Sequence, residues 1–231
     1  MSAINPLLLP VKKDSNTVRL TVLENLVNML NKRKWILDKN VKSIVKHLMD
    51  SVNEDNIYKI PLDVDLTSLE TYLPNLDDKD KRKINEMDGK YIVVKLLPQN
   101  ITSIAKSPIM TEFITSNVKY HKIIVVSEIT EKVKTVLMDV NKNLELFKEI
   151  FLMIDLLEHV CSPKYEILTP IEIKEIILSY HTPKKKFQIM LENDPASIYL
   201  FLQKGQIVRI IRNSEITGTS IAYKIIGSKK N

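Results

Sequence analysis

Two short β-branched runs, Tyr91-Ile92-Val93-Val94 and Lys122-Ile123-Ile124-Val125-Val126, constrain this chain most. Residues of this kind suit a pleated, buried strand. The segment between them, Ile109 to Asn117, reads as a helix, and so does Glu131 to Val140 after the second run. Strand, helix, strand, helix predicts an α/β layer. Ahead of it, Val18, Val22, Leu26 and Leu30 recur at four-residue steps, which predicts an amphipathic helix over Thr17–Lys34 with Ser15 or Asn16 as its cap. Asp38 is read as the cap of a second helix carrying Val41, Ile44, Val45, Leu48 and Met49, making a helical hairpin. Residues 53–88 read as loops, because they hold Pro61, Pro74 and the charged run Asp77 to Lys83. That run is most simply a solvated face or loop tip. The apolar stretch Leu144 to His159 is too continuous for periodicity to separate a buried strand from a buried helix.

The last third is punctuated more sharply. Thr169-Pro170-Ile171-Glu172 is a capping box with proline at the first helical position, and it opens a helix to about Tyr180. Pro183 closes that segment, and Lys184 to Lys186 form an exposed basic tip. Asp194-Pro195 starts a short helix through Leu202. Gly205 turns the chain into the strand Gln206 to Arg212, and Gly218 turns it into the last strand, Ser220 to Ile226. Two helices and a terminal β-hairpin make a compact α+β module.

Bulk properties narrow the function. The 231 residues suit one large domain or two small ones, and 44% apolar residues permit a packed core. No apolar stretch reaches the roughly 20 residues of a membrane helix, and Leu7 to Leu9 lacks the flanks of a secretory signal. The single cysteine, Cys161, excludes an internal disulfide and argues against a cysteine-based zinc site. The chain therefore reads as soluble and intracellular. A net charge of +6 permits contact with a polyanion, although solvated surface lysines explain it equally well. His47, His121, His159 and His181 have no metal-ligand spacing, and four glycines build no phosphate loop. Asp88 and Lys90, with Asp78 upstream, form the weak acid-x-lysine fragment of a nuclease. By residue type alone the chain is a soluble α/β protein, with no catalytic constellation, no cofactor and no metal expected.

One ordered series is specific. It runs through Glu158-His159, Pro163, Leu168-Thr169, Asp194-Pro195, Tyr199, Lys204-Gly205-Gln206-Ile207-Val208-Arg209-Ile210-Ile211-Arg212, Ser214-Glu215, Gly218 and Tyr223-Lys224. In order and spacing it resembles the assembly domain of the fifth subunit of archaeal and eukaryotic DNA-directed RNA polymerases. Tyr165, the run Phe187 to Met190, Ile198 and Asn213 depart from that pattern, as in a divergent member, for instance one carried by a large DNA virus. The resemblance implies an α/β N-terminal jaw domain over residues 1–150 and a C-terminal assembly domain over 151–231. It implies a strand over Ile150 to Leu156. It further implies a non-catalytic subunit of a DNA-directed RNA polymerase that docks on the largest subunit, among other polymerase subunits. Asp194, Pro195, Tyr199, Gly205, Gln206, Arg209, Arg212, Ser214, Glu215 and Tyr223 would form the subunit interface. Thr130, Lys132 and Lys134 would lie near downstream duplex DNA. The implied location is the nucleus, or a viral factory or virion. The rival classes are a free-standing basic DNA-binding protein and the metal-dependent nuclease.

Overall fold

The computed structural model describes residues 14–51, 55–68, 87–103, 107–141, 143–158, 162–214 and 218–228. Its elements are α1 (Ser15–Lys32), α2 (Asp38–Asp50), β1 (Ile57–Pro61), β2 (Tyr91–Ile101), α3 (Pro108–Ser116), β3 (His121–Ile129), α4 (Glu131–Val140), β4 (Leu144–Lys148) and α5 (Glu149–Leu152). They continue with β5 (Lys164–Ile167), α6 (Pro170–Ser179), β6 (Gln188–Leu191), α7 (Pro195–Tyr199), β7 (Ile207–Ser214) and β8 (Gly218–Gly227).

The first sheet has the order β1-β2-β3-β4, with β2, β3 and β4 parallel and β1 antiparallel at the edge. Successive side chains on a strand point to opposite faces, and here both faces are apolar. Ile92, Val94, Ile123, Val125 and Phe147 join α1 and α2 on one side. Val93, Leu97, Ile124, Val126 and Leu146 join α3 and α4 on the other. Burial on both sides is why the strands read as unbroken β-branched runs.

The second sheet has the order β5-β7-β8-β6, with β7 and β8 forming the hairpin. The expected two helices and hairpin are present, and the edge strands β5 and β6 widen the hairpin to four strands. Val208, Ile210, Ile226 and Met190 face the same core as the helical hairpin and the first sheet. Ile207, Leu168 and Ile176 pack between the sheet and α6 on the opposite face. One apolar core therefore runs from α1 through the first sheet to the second.

Several local expectations need correction. Asp14, not Ser15 or Asn16, caps α1, its carboxylate accepting from the Thr17 N–H at 2.8 Å. Asp38 is already the first residue of α2, and its carboxylate accepts from Asn31 Nδ2 at 2.7 Å. The capping acceptor is Asp63, which takes the Leu37 N–H at 2.7 Å and Asn40 Nδ2 at 2.6 Å. The stretch read as loops holds β1, whose apolar Tyr58 and Ile60 are buried beneath the helices. Ile150 to Leu156 is not a strand. The strand lies upstream at β4, paired with β3 as far as Lys148 opposite Val126, and the chain then turns helical as α5. Helix α7 ends at Tyr199 rather than Leu202, because Phe201 adopts φ +53° and returns the Leu202 N–H to Ser197 O at 2.8 Å. The Leu7 to Leu9 run, the charged run Asp77 to Lys83, Cys161 and His159 lie outside the described residues.

Candidate functional site

The residues expected at a subunit interface divide by what their backbone does. Asp194 caps α7 by accepting from the Ala196 N–H at 2.9 Å, and Pro195 opens that helix. Gly205 takes φ +87° and donates to Ile226 O at 2.9 Å, which sets the turn into β7. Gln206 Oε1 accepts from the Gln203 N–H at 2.8 Å in the same turn. Gly218 takes φ +72° and pairs with Ser214 at the far end of the hairpin. Glu215 lies outside the described residues. These positions build turns and caps, as residues of these types do.

Tyr199 is a correction. It is 0% exposed, and its hydroxyl donates to Asp155 Oδ1 at 2.9 Å, so its side chain presents nothing to a partner. Burial, followed by the neighbouring Asp155 carboxylate, pushes the phenol well above its ordinary value. Asp155 also binds Lys32 Nζ at 3.0 Å, tying the end of α1 to the start of the C-terminal part.

Arg209 and Arg212 point to opposite faces of β7, three residues apart on a period of two. Arg209 lies on the α6 face, where Nη1 donates to Glu166 Oε2 at 3.2 Å and the guanidinium stands 5.8 Å from the Tyr223 ring. Tyr180 meets the Tyr223 ring edge-on at 5.7 Å. Arg212 is exposed near the hairpin tip. Ile189 and Ile221, on the same face as Arg209, are each 55% exposed, and Ile171, Leu178 and Tyr180 of the α6 region are exposed as well. An apolar group of this kind is the usual mark of a contact surface.

At the other end of the molecule, Thr130 and Lys132 are exposed at the start of α4, and Lys134 is half-buried one turn on. Lys134 lines a groove of about 650 Å³ between α4 and α7, shared with Met138, Phe147, Ser197 and Phe201. Asp88, the anchor of the nuclease reading, accepts from the Lys90 N–H at 3.1 Å in a local turn. Its supposed partner, Asp78, lies outside the described residues.

The most ordered polar cluster is one that sequence spacing did not reveal. α1 ends in a left-handed turn at Lys34, φ +63°, with the Trp35 N–H returning to Leu30 O at 3.0 Å. This turn aims Arg33 inward. Its Nη1 and Nη2 bind Glu145 Oε1 and Oε2 at 2.7 and 2.8 Å, a bidentate pair. Its Nε donates to Tyr199 O at 2.8 Å, and Nη2 donates to Ile198 O at 3.1 Å. Both carbonyls lie at the end of α7, past the reach of its four-residue ladder. Ile198 O also accepts from the Phe201 N–H at 3.2 Å. His121 Nε2 lies 2.7 Å from Glu145 Oε1. Trp35, His121 and Phe201 meet edge-on at 5.5 to 5.6 Å, with the guanidinium over Trp35 and Phe201. Arg33, Glu145 and His121 are 6%, 4% and 0% exposed. Burial pushes Glu145 up, but the Arg33 charge and the bonds from His121 and Arg33 outweigh it and hold the carboxyl at about 2. Burial draws His121 below its ordinary value, and because an ionised carboxylate can only accept, Nε2–H is the donor to Glu145 Oε1. The three residues come from α1, β3 and β4, too far apart in sequence to signal each other. The one hint was a glutamate set between Leu144 and Leu146 in an apolar run.

Fold and surface together describe a two-sheet α/β protein whose second sheet carries an exposed apolar face. The family model for "RNA polymerase Rpb5, C-terminal domain" matches residues 154–226, which span that sheet. The chain is 33% identical over 69 residues to DNA-directed RNA polymerase subunit Rpo5 of Methanocaldococcus jannaschii, covering 88% of that protein and 30% of this one. It is 28% identical over 224 residues to DNA-directed RNA polymerase subunit 5 of Acanthamoeba polyphaga mimivirus, covering 94% of this chain and 95% of that protein. It is 34% identical over 83 residues to subunit RPABC1 of DNA-directed RNA polymerases I, II and III of Caenorhabditis elegans, covering 36% of this chain and 39% of that protein. The chain belongs to the Rpb5 family of RNA polymerase subunits, as the motif series implied.

Proposed function

We propose that this chain is an assembly subunit of a multisubunit DNA-directed RNA polymerase and that it takes no part in the nucleotide chemistry, which the large subunits perform. The observation that carries this reading is the matched C-terminal segment. It forms a complete four-stranded sheet with a helix on it, and it covers most of an archaeal polymerase subunit. Residues 151–231 would serve as the docking part and residues 1–150 as a jaw beside incoming duplex DNA.

The docking face we assign is the α6 side of the second sheet, with Tyr223 and Arg209 flanked by exposed Ile189, Ile221 and Leu178. The largest polymerase subunit would cover it. Arg212 at the hairpin tip adds a planar fork suited to a partner carboxylate. Thr130, Lys132 and Lys134 would approach the DNA backbone, giving contacts that do not depend on base sequence. The near full-length likeness to a viral subunit favours a viral factory or virion as the site of action, with the nucleus as the location for a cellular chain.

A tagged copy expressed in its host tests the reading. The large polymerase subunits should copurify with it, identified by mass spectrometry. Arg212→Glu should reduce that recovery, while Lys132→Glu leaves it intact. A chain recovered alone on DNA would overturn the subunit reading. An Arg212→Glu chain recovered in full complexes would remove the hairpin tip from the interface, and full recovery with Ile221→Ser would overturn the α6-side docking assignment.

A further inference from the structure

We infer that Arg33 is a coupling residue, locking the N-terminal α/β part and the C-terminal module into a single body that opens as one unit. A chain built from a jaw and a docking module leads one to expect two bodies joined by a hinge. The geometry runs against a hinge. From the end of α1, one guanidinium satisfies a carboxylate on β4 and donates to the two terminal carbonyls of α7. The two bonds to α7 span 165 and 166 residues of sequence and join the N-terminal part to the C-terminal module, whereas the Glu145 pair, 112 residues apart, lies within the N-terminal part and holds the guanidinium in place.

Two independent observations support the coupling. Phe201 holds φ +53°, a left-handed conformation that is costly for a bulky side chain. Such strain persists where the surroundings over-determine it, and here the ring is fixed between Trp35, His121 and the guanidinium. The apolar core is also continuous across the junction, with Leu26, Leu30 and Ile36 joined to Tyr199, Val208 and Ile210. Breaking the junction would expose that core and strip donors from two helix-end carbonyls, while the Arg33–Glu145 pair, both from the N-terminal part, would be opened to solvent. Separation of the parts therefore carries the cost of exposing that shared core and freeing those carbonyls. If the polymerase reading holds, docking of the second sheet then fixes where the jaw lies, without a movable joint.

The test uses the isolated full chain, so its outcome stands whether or not the polymerase reading does. Trp35, the single tryptophan, sits in the cluster and reports its opening by fluorescence during denaturant unfolding. Native-state amide exchange follows β2–β3 and β7–β8 separately. In the unaltered chain the fluorescence midpoint and the exchange of both sheets should coincide in one transition. Arg33→Met should split it, with the amides of one sheet opening about tenfold or more as often as those of the other. Glu145→Gln, which keeps the Arg33 bonds to α7, should lower the midpoint and leave the transition single. Two transitions in the unaltered chain overturn the inference. If Arg33→Met fails to fold, Arg33→Lys, which keeps the charge but cannot bond Glu145 and both α7 carbonyls at once, takes its place with the same expected split. A single transition persisting in a folded Arg33→Met chain overturns it as well, because the apolar core alone would then supply the coupling.

Discussion

The two sheets of this protein solve the same packing problem differently. The N-terminal sheet is covered twice, by α1 and α2 on one face and by α3 and α4 on the other, and its central strands keep no exposed apolar side chain along Ile123 to Val126. The C-terminal sheet is covered less evenly: on the side that joins the shared core Val208, Ile210, Ile226 and Met190 are buried, while Ile167 and Arg212 stay exposed. On its other face a single helix of ten residues leaves Ile189 and Ile221 in the open. A sheet buried on both sides has no surface to lend, whereas a half-covered one keeps a cost that a partner can remove. The contrast separates the part of the chain that holds itself together from the part suited to meet a neighbour.

The contrast can be broken most sharply by shortening one side chain on a doubly covered strand. Ile123→Ala should lower unfolding free energy by about 2–5 kcal/mol, the usual range for such a deletion in a packed core, read from the denaturant midpoint. A loss below that range would mean that the inner sheet is less tightly filled than its burial implies.

Acid should act next, and through the junction between the sheets. Glu145 is held at about 2, below its ordinary value of 4.5, so its stabilising contribution is full above 4.5 and is lost as pH falls toward 2. His121 is shifted down from 6.5 by burial, so the unfolded chain binds its proton first and stability also declines as pH falls below 6.5. Both shifts carry the same sign. The denaturant midpoint should fall gradually below pH 6.5 and steeply below 4.5, and Glu145→Gln should flatten the steep limb. A midpoint level from about pH 7 to about pH 3 would contradict this.

Within the C-terminal part, Thr169→Ala removes the hydroxyl that accepts from Glu172 N–H and should cost about 1 kcal/mol, measured by thermal or denaturant unfolding. The smallest effect belongs to the open face. Ile221→Ser should change the stability of the isolated chain by no more than about 0.5 kcal/mol, yet reduce recovery of the polymerase complex. A large loss of stability would show that Ile221 serves the chain's own core, and the contrast between the faces would narrow.

Legibility follows the same division. The capping box at Thr169, the proline starts at Pro170 and Pro195, and the glycine turns at Gly205 and Gly218 act within a few residues of themselves. They could be placed from the order of residues alone. The runs around Ile92 and Ile123 marked their strands because burial on both faces demands continuous apolar residues. β1 was missed because Pro61 suggested a loop, although proline is tolerated at the end of an edge strand. The run after Leu144 misled because the resemblance placed the strand a few residues late. The motif series marked the family, but it could not sort Tyr199, which is core, from Arg212, which is surface.

What the sequence determined by itself was the set of local devices, namely caps, turns and strand-forming runs, together with the family that their order marks. These depend on interactions a few residues long, so the letters suffice. Tertiary structure alone decided that Arg33, His121 and Glu145 meet, that Asp63 rather than Asp38 serves the start of α2, and that one face of the second sheet stays open. Each of these depends on which distant segments come to share a volume, and no short-range rule carries that information.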